Sequence, residues 1–417
     1  MNLNNLFKTL GPGILFASTA IGVSHLVQST RAGAEYGFSL LLFVVLANIF
    51  KYPFFEFGSR YANVTGETII DGYKRMGRLT LLLYFIVTFF SMFVVSAAVG
   101  TVTAGFFENL FGFNLNPFYN VLLLFLVIFF VLFIGKYSLL DGIIKVIAII
   151  LLFSTIASFF LVLLKGPSSN SLFVDNFNFF DTKTFPFIIA LMGWMPCAID
   201  LSSWNSLWTL ERINQTGYKP KLKETLFDFN LGYFISFILA ICFVTLGAYL
   251  MFNTGVDFHT KSDKFANQVV SLYTTNFGGW SYYIISLSAF SIMLGTCFGV
   301  FDGYARTLQR ISDITIFNNN NNHTYKLSLL VIFIGSLFVV NIFQGQEFKK
   351  LIDFATILSF VIAPFIAYVN YKLVTGPFMN NIGIPPFWLK LLSILGIIFL
   401  SLFAIFYILS KFNLVFV

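Results

Sequence analysis

The chain has 417 residues, of which 58% are hydrophobic and only 10% carry a charged side chain, and its mean hydropathy is +0.84. Soluble domains carry about a quarter charged residues, so this composition excludes a soluble enzyme or binding protein. The formal net charge of +7 requires neither nucleic acid nor an acidic substrate, because basic loops also orient membrane proteins. The composition therefore predicts an integral membrane protein.

Long apolar runs separated by short polar stretches divide the chain into serial membrane spans of about twenty residues each. The run from Val121 to Gly135 is apolar on every side, which favours helices over the alternating strands of a barrel. The predicted spans lie near residues 11–32, 38–60, 79–107, 117–135, 139–165, 185–209, 226–252, 278–305, 326–344, 351–372 and 388–410. We therefore predict an all-α bundle of eleven helices that forms one transporter domain over residues 1–417.

The loops that would face the cytoplasm with the amino terminus inside hold the larger share of the Lys and Arg residues. Lys219, Lys221 and Lys223, which follow the sixth span, belong to this group. Cationic loops are retained in the cytoplasm, so we predict a cytoplasmic amino terminus and an outer carboxyl terminus, in a bacterial inner or plasma membrane. We expect the first span to remain in the mature chain, because no cleavage-type site precedes it.

Catalytic and cofactor-binding patterns are missing from the sequence. It contains no phosphate-binding loop, no Cys-x-x-Cys and no His-Glu-x-x-His, and its three cysteines lie inside apolar runs. We therefore expect no enzymatic activity and no cofactor. The expected partners are the lipid bilayer and a transported ion or small solute, and a monomer is the simplest assembly because no further interface is visible.

Two of the predicted spans are interrupted, and they lie five spans apart in the order of the chain. The first reads Gly11-Pro12-Gly13 and then Ala20 to His25, and the sixth reads Gly193-Trp194-Met195-Pro196-Cys197-Ala198-Ile199-Asp200. Paired interruptions are typical of transporters with inverted repeats, in which unwound backbone at mid-depth holds an ion or substrate. The repeats would cover about residues 11–165 and 185–372, with the eleventh helix appended.

The same two regions carry a family resemblance. The stretch from Gly11-Pro12-Gly13 through Ala32-Gly33-Ala34-Glu35-Tyr36-Gly37, followed by Leu46-Ala47-Asn48, resembles the start of the NRAMP family of divalent-metal transporters. Met195-Pro196 in the sixth span agrees with that family as well. The resemblance implies a LeuT-type fold with a 5+5 inverted repeat, and a cargo of manganese or ferrous iron that is usually carried together with protons.

The sequence departs from the family at the positions that the resemblance would make functional. Gly22-Val23-Ser24-His25 stands where the family has Asp-Pro-Gly-Asn, and Cys197 stands where it has the His of Met-Pro-His. Ala97 matches the acidic position of the third span, and no Gln lies near Ser359 and Phe360. These departures predict a divergent branch with weak or absent proton coupling, in which His25 is the remaining proton carrier.

The predicted cargo-binding residues surround the two interruptions, and they are Gly22, Ser24, His25, Met192, Met195, Cys197 and Asp200. Gly22 and Met192 mark the places where freed backbone carbonyls would face the cargo. Cys197 could be a ligand or simply a small packing residue.

Three of these residues, His25, Met195 and Asp200, are the predicted metal ligands. An ionisable group within a span usually marks function, although His25 could also be a histidine that bonds only to nearby backbone. Met195 offers a soft thioether suited to manganese or iron, whereas methionine in an apolar helix more often serves packing. If Pro196 opens the second half-helix, Asp200 falls in its first turn, where it would be a ligand or only a cap. A dication in low dielectric needs an anion nearby, so Asp200 would replace the carboxylate missing from the first span.

Two cargo classes stay open from the sequence. The first is a divalent metal of the manganese, iron and magnesium class, moved by alternating access. The alternative is an organic cation, amino acid or other small solute on the same scaffold, because Trp194 and Trp204 could stack on a cation. Trp208 is predicted instead to anchor the helix at the membrane interface. Asp302 and Arg306 are four residues apart on one helix face, so we predict a salt bridge between them.

Overall fold

The computed structural model describes residues 3–113, 115–134, 137–255, 258–317, 322–344 and 348–412. Within these ranges the secondary structure is helical, apart from an isolated antiparallel bridge between Gly37 and Phe173. The α-helices are α1 (Leu3–Thr9), α2 (Pro12–Ala20), α3 (Thr30–Tyr36), α4 (Leu41–Thr65), α5 (Ile69–Met76), α6 (Arg78–Phe111), α7 (Pro117–Ile134), α8 (Tyr137–Lys165), α9 (Thr184–Gly193), α10 (Ser202–Thr216), α11 (Leu222–Leu250), α12 (Ser262–Phe277), α13 (Tyr282–Ser312), α14 (Asn322–Ile342), α15 (Phe348–Thr375) and α16 (Phe387–Lys411).

Eight helical stretches of the described chain are long and apolar enough to cross a membrane. They are Leu41–Thr65, Arg78–Phe111, Pro117–Ile134, Leu222–Leu250, Gly279–Ile316, His323–Ile342, Phe348–Thr375 and Phe387–Lys411. The other three predicted spans correspond to α8 and to the two interrupted segments. The chain is an integral membrane protein, and the total of eleven spans stays a prediction.

The first broken segment consists of α2, a π-helical turn (Val23–Ser29) and α3. Its α-helical hydrogen bonding stops at Ile21 and Gly22, and the backbone amides of His25 and Leu26 then both bond to the Gly22 carbonyl. A Cβ at position 22 would collide with the side chain of Thr296 on α13. The chain therefore changes its helical pitch at a glycine that packs closely against the neighbouring helix.

The motif Gly11-Pro12-Gly13 does not break this segment at mid-depth, as the sequence suggested. Pro12 instead begins α2, where its missing N–H costs nothing. The carboxylate of Asp228 on α11 accepts hydrogen bonds from the amides of Gly11 and Gly13, at 3.1 and 2.7 Å. The motif thus ties the start of α2 to α11.

The second broken segment consists of α9, an unwound stretch at residues 194–198, a 3₁₀ turn (Ile199–Leu201) and α10. The Met195-Pro196 peptide bond within it is cis. The expectation that Pro196 opens the second half-helix is wrong, because α10 begins at Ser202. Asp200 consequently lies in the 3₁₀ turn rather than in the first turn of an α-helix.

The two broken segments run through the middle of the bundle. In the first, α2 and α3 pack against α11, whereas in the second α9 packs against α15 and α10 against α4. The long helices α6 and α13 pack against each other and complete the walls around them. We call the end of the bundle at which α2 begins the amino-terminal end. Near the end of α13, Arg310 bonds to Asp71 of α5 at 2.6 Å and Arg306 to Glu211 of α10 at 3.2 Å. The next residue of α10, Arg212, donates to the Lys8 carbonyl, so the end of α13 and the start of α6 lie at that same end.

Candidate functional site

A small cavity lies where the two broken segments face α6 and α13. Its volume is about 30 Å³. The lining residues are Thr19, Ala20, Val23, Ser24, Val95, Val99, Trp194, Cys197, Ala198, Leu201, Thr296 and Val300. None of these described lining residues carries a carboxylate or an imidazole, so hydroxyl, thiol, indole and backbone groups are the polar functions that reach the cavity. Ser24 and Cys197 are the predicted cargo-binding residues among them.

His25 is fully buried and points away from the cavity toward α11. Its Nε2 lies 2.9 Å from the Ser236 carbonyl oxygen and 3.2 Å from the Ser236 hydroxyl. Its Nδ1 lies 2.7 Å from the hydroxyl of Ser24, which in turn lies 2.6 Å from the Ala20 carbonyl. The Ser24 hydroxyl has one hydrogen, so it can donate to Ala20 or to His25 but not to both. With its proton on Nδ1, the neutral ring donates to Ser24, Ser24 donates to Ala20, and Nε2 accepts from the Ser236 hydroxyl.

The predicted carbonyl positions of Gly22 and Met192 are already occupied by hydrogen bonds. The Gly22 carbonyl accepts the two amides of the π-helical turn. The Met192 carbonyl accepts a bond of 2.6 Å from the side-chain ammonium of Lys51, a residue of α4. The side chains of Met192 and Met195 are completely buried in the apolar cluster around α9 and α15 and do not line the cavity.

Asp200 forms a polar cluster with α6 and α13. Its Oδ2 accepts hydrogen bonds from the hydroxyls of Ser91 and Tyr304, at 2.8 and 3.3 Å. Its Oδ1 is buried and has no hydrogen-bond partner in the described part of the chain. Ser91 and Tyr304 each lie four residues from the cavity-lining Val95 and Val300. The Asp200 cluster therefore lies about one helical turn from the cavity, toward the amino-terminal end.

A second buried carboxylate, Asp302, lies on α13 two residues beyond the cavity-lining Val300. Asp302 accepts hydrogen bonds from Arg306 at 2.8 Å, from Tyr325 at 2.8 Å and from Trp208 at 3.2 Å. The predicted salt bridge between Asp302 and Arg306 is confirmed. The prediction that Trp208 anchors the membrane interface is wrong, because its side chain is only 1% exposed and its indole N–H bonds inside the protein.

At the opposite end of the bundle, an ion pair joins the first broken segment to α15, and the same arginine contacts the second broken segment. Arg31 of α3 lies 3.0 Å from Asp353 of α15, and Gln28 also donates to that carboxylate, at 3.1 Å. The Arg31 guanidinium lies 4.7 Å from the ring centre of Phe187 on α9. Arg31 is buried, so these contacts hold α3, α9 and α15 together above the cavity.

The structure thus brings Ser24 and Cys197 to the cavity and places His25, Met195 and Asp200 around it on different sides. The described residues contain no group of three or more His, Cys, Asp and Glu side chains that could hold a metal ion. Lys51 was not among the residues that the sequence predicted for the site. A lysine inside an otherwise apolar run was the available signal, since such a residue needs a partner within the protein.

Comparison with known proteins agrees on one family over nearly the whole chain. The profile of the family described as "Natural resistance-associated macrophage protein-like" matches residues 13–410. An uncharacterised protein of Pasteurella multocida is 32% identical, over 96% of this chain and 92% of its own. The divalent metal cation transporter MntH of Staphylococcus aureus is 23% identical, over 99% of this chain and 93% of its own.

Solved structures share the fold at low sequence identity. The Eremococcus coleocola manganese transporter, in complex with an aromatic bis-isothiourea compound, aligns with a TM-score of 0.72 at 15% identity, covering 98% of this chain and 87% of that one. Mhp1, a nucleobase-cation-symport-1 family transporter, aligns with a TM-score of 0.58 at 15% identity, covering 96% and 93%. These likenesses confirm the predicted all-helical, LeuT-type transporter fold.

Proposed function

Because the chain belongs to the natural resistance-associated macrophage protein (NRAMP) family, we propose that it is a secondary-active transporter that moves a divalent metal ion by alternating access. The resemblance noted in the first two spans is confirmed by the family match, and the chain is a membrane transporter rather than an enzyme. The metal cargo is inferred from the relatives of the chain, among them a divalent metal cation transporter.

The observation that carries the proposal is the meeting of two broken segments at one small cavity. Unwound backbone at mid-depth is tolerated in a membrane protein where it lines a cavity, and such places bind cargo in transporters of this architecture. A cavity of about 30 Å³ has room for a water molecule or two. A metal ion with a retained water fits that space without rearrangement, whereas an amino acid or organic cation would require the cavity to expand.

Asp200 supplies the negative charge that a dication requires. Its Oδ2 is held by Ser91 and Tyr304, whereas its buried Oδ1 has no partner among the described residues and is free to accept a ligand. A metal ion in the cavity is one helical turn away and would reach this oxygen on its way toward the amino-terminal end. Ser24 and Cys197 contribute the oxygen and sulfur that already line the cavity.

His25 is the candidate proton carrier. Its two ring nitrogens bond to Ser24 and Ser236, and Ser24 connects that ring to the cavity. Ala97 is buried and cannot titrate at the acidic position of the third span. Proton movement that accompanies the cargo would therefore depend on His25, and a His25→Ala transporter would show none.

The proposal is tested by uptake of Mn²⁺, Mg²⁺ and Ca²⁺ into proteoliposomes. We expect the wild type to accumulate Mn²⁺, and Asp200→Ala and Asp200→Asn to lose at least tenfold in uptake. The Asn variant can keep the contacts to Ser91 and Tyr304, so its loss reports the charge rather than the fold. Glu108→Gln is the matched control, because Glu108 lies on α6 nine residues beyond the cavity-lining Val99, about 13 Å along the helix. A folded wild-type protein that takes up none of the three ions would overturn the metal cargo.

An organic solute is the second candidate, and the cavity lining favours it in one respect. No carboxylate lines the cavity among the described residues, whereas the indole of Trp194 does, fixed by a hydrogen bond of 2.9 Å to Ser359. An aromatic wall of this kind suits an organic cation. Thermal stabilisation of the purified protein by an organic amine, with none by Mn²⁺, would select this candidate.

A further inference from the structure

Lys51 is a buried lysine in the middle of the bundle, next to the second break. It lies within α4 and its side chain is fully shielded from solvent. Its Nζ lies 2.6 Å from the Met192 carbonyl oxygen, 2.7 Å from that of Gly193 and 3.3 Å from that of Cys197. Met192 and Gly193 are the last two residues of α9, and Cys197 lies in the unwound stretch that follows.

The three carbonyls match the hydrogen-bonding capacity of a lysine ammonium. An ammonium group carries three N–H donors and no acceptor, and each donor here has one carbonyl oxygen. No ion pair of Lys51 with a carboxylate is found among the described residues. The groups that contact the amine are therefore backbone carbonyls, and the carboxyl end of a helix carries a partial negative charge that favours a cation.

Carbonyl oxygens at the end of a broken half-helix are the groups with which transporters of this architecture bind a small cation. We propose that Lys51 is a tethered cation that fills such a site permanently, in place of a dissolved ion. The unwound stretch is thereby held in one conformation without any inorganic cation. The proposal concerns a charge that belongs to the protein itself, and it does not depend on which cargo the protein carries.

The tethered ammonium also decides which groups the cargo meets. Trp194, Cys197 and Ala198 line the cavity, whereas Lys51 does not, so the unwound stretch separates Lys51 from the cavity. Lys51 binds the carbonyls of Met192 and Cys197 on the far side of that stretch and so withholds them from the cargo. Recognition is left to side chains such as Ser24, Cys197 and Asp200. Lys51 is in this sense a specificity-determining residue that touches no cargo.

The test compares the thermal stability of the wild type and Lys51→Met in detergent, in chloride salts of N-methylglucamine, sodium, potassium, ammonium and methylammonium at equal ionic strength. We expect the wild-type melting temperature to be the same in all five salts. Lys51→Met should melt several degrees lower in N-methylglucamine, which is too large for the site. At least one small cation should raise its melting temperature in proportion to the logarithm of concentration, as binding to the folded state requires.

Lys372→Met is the matched control, because this lysine lies near the end of α15 with its ammonium against the ring of Tyr368. It should show no dependence on the cation. Lys51→Gln separates charge from hydrogen bonding, since its amide donates to carbonyls but carries no charge. Stability of Lys51→Gln equal to the wild type in N-methylglucamine would overturn the proposal, and so would a Lys51→Met deficit that no small cation reduces.

If Lys51→Met is recovered only in low yield, the folded fraction is measured by fluorescence-detected size exclusion of membranes solubilised in each salt. A higher folded fraction in ammonium or methylammonium than in N-methylglucamine supports the tethered cation, and equal fractions in all five salts contradict it. Neither measurement involves transport. A failed metal-uptake assay and a failed cation rescue therefore remain separate results.

Discussion

The two breaks satisfy their freed backbone groups in different ways. At the first, the Gly22 carbonyl is bonded within the π-helical turn and the Ala20 carbonyl by the nearby Ser24 hydroxyl, so the partners are local and neutral. At the second, the Met192 and Gly193 carbonyls are bonded by Lys51, which is charged and comes from another helix. A lipid environment offers no water for these groups, so each break needs partners from the protein. The comparison indicates that the first break is a property of its own segment, whereas the second depends on the assembled bundle.

The packing of neighbouring helices against the two breaks also differs, and it is again the second break that depends more on the bundle. A Cβ at Gly193 would collide with the backbone carbonyl of Thr356 on α15, whereas a Cβ at Gly22 would collide with the side chain of Thr296. A side chain can change its rotamer, but a carbonyl inside a packed helix cannot move without the helix. The second break is therefore packed more rigidly than the first.

Gly193→Ala should give the largest effect of the substitutions at the breaks. Helices α9 and α15 would have to separate, and we expect a loss at or above the upper end of the range of about 1–3 kcal/mol typical of overpacking. The measurement is the melting temperature in detergent. Gly217→Ala is not a suitable comparison, because that glycine has a left-handed backbone. Wild-type stability of Gly193→Ala would contradict the rigid contact between α9 and α15.

Gly22→Ala should cost less, near the lower end of the same range of about 1–3 kcal/mol. The neighbouring Thr296 side chain can be shortened, so we expect Gly22→Ala to be better tolerated in a Thr296→Ala background. A double-mutant cycle measures this coupling, which should be favourable. Additive effects of the two substitutions would show that Thr296 is not the obstacle at the first break.

His25→Gln tests the neutral bonding of the first break. A glutamine can replace one of the two ring contacts but not both, so we expect a loss of about 1 kcal/mol, the usual value for one hydrogen bond. Its melting temperature should not depend on the salt cation, in contrast to that of Lys51→Met. Rescue of His25→Gln by ammonium would remove the distinction between the two breaks.

Asp181→Asn should give the smallest effect. Asp181 accepts hydrogen bonds from the amides of Lys183 and Thr184 at the start of α9, and these bonds hold the pKa of its exposed carboxyl below the ordinary value. A carboxyl with a lowered pKa stabilises the folded state at neutral pH, and it loses that contribution as the pH falls below the ordinary pKa of about 4 and through the lowered pKa. We expect the wild type to lose slightly more melting temperature than Asp181→Asn between pH 6 and pH 3. An equal loss of melting temperature in the two proteins would show that the Asp181 hydrogen bonds contribute nothing to stability.

The sequence predicted more of the fold than of the site. Apolar runs of span length and the two interruptions were readable because they are local patterns, and the Asp302–Arg306 pair was readable because its spacing places both residues on one helix face. The burial of Trp208 was not readable, because it depends on Asp302 in a helix almost a hundred residues further along the chain. The predicted ligands His25, Met195 and Asp200 all lie at the two interruptions of the sequence, but their side chains point to different neighbours.

The sequence by itself determined a helical membrane protein of the NRAMP family with two broken helices, because hydropathy, helix breakers and family motifs are properties of consecutive residues. Only the tertiary structure decided which groups occupy the breaks. It directed His25 toward Ser236, held Asp200 between Ser91 and Tyr304, and placed Lys51 on the Met192 and Gly193 carbonyls. The physical reason is that a freed carbonyl or a buried charge in a membrane protein bonds to a group on whichever helix packs beside it. The sequence alone does not specify which helix that is.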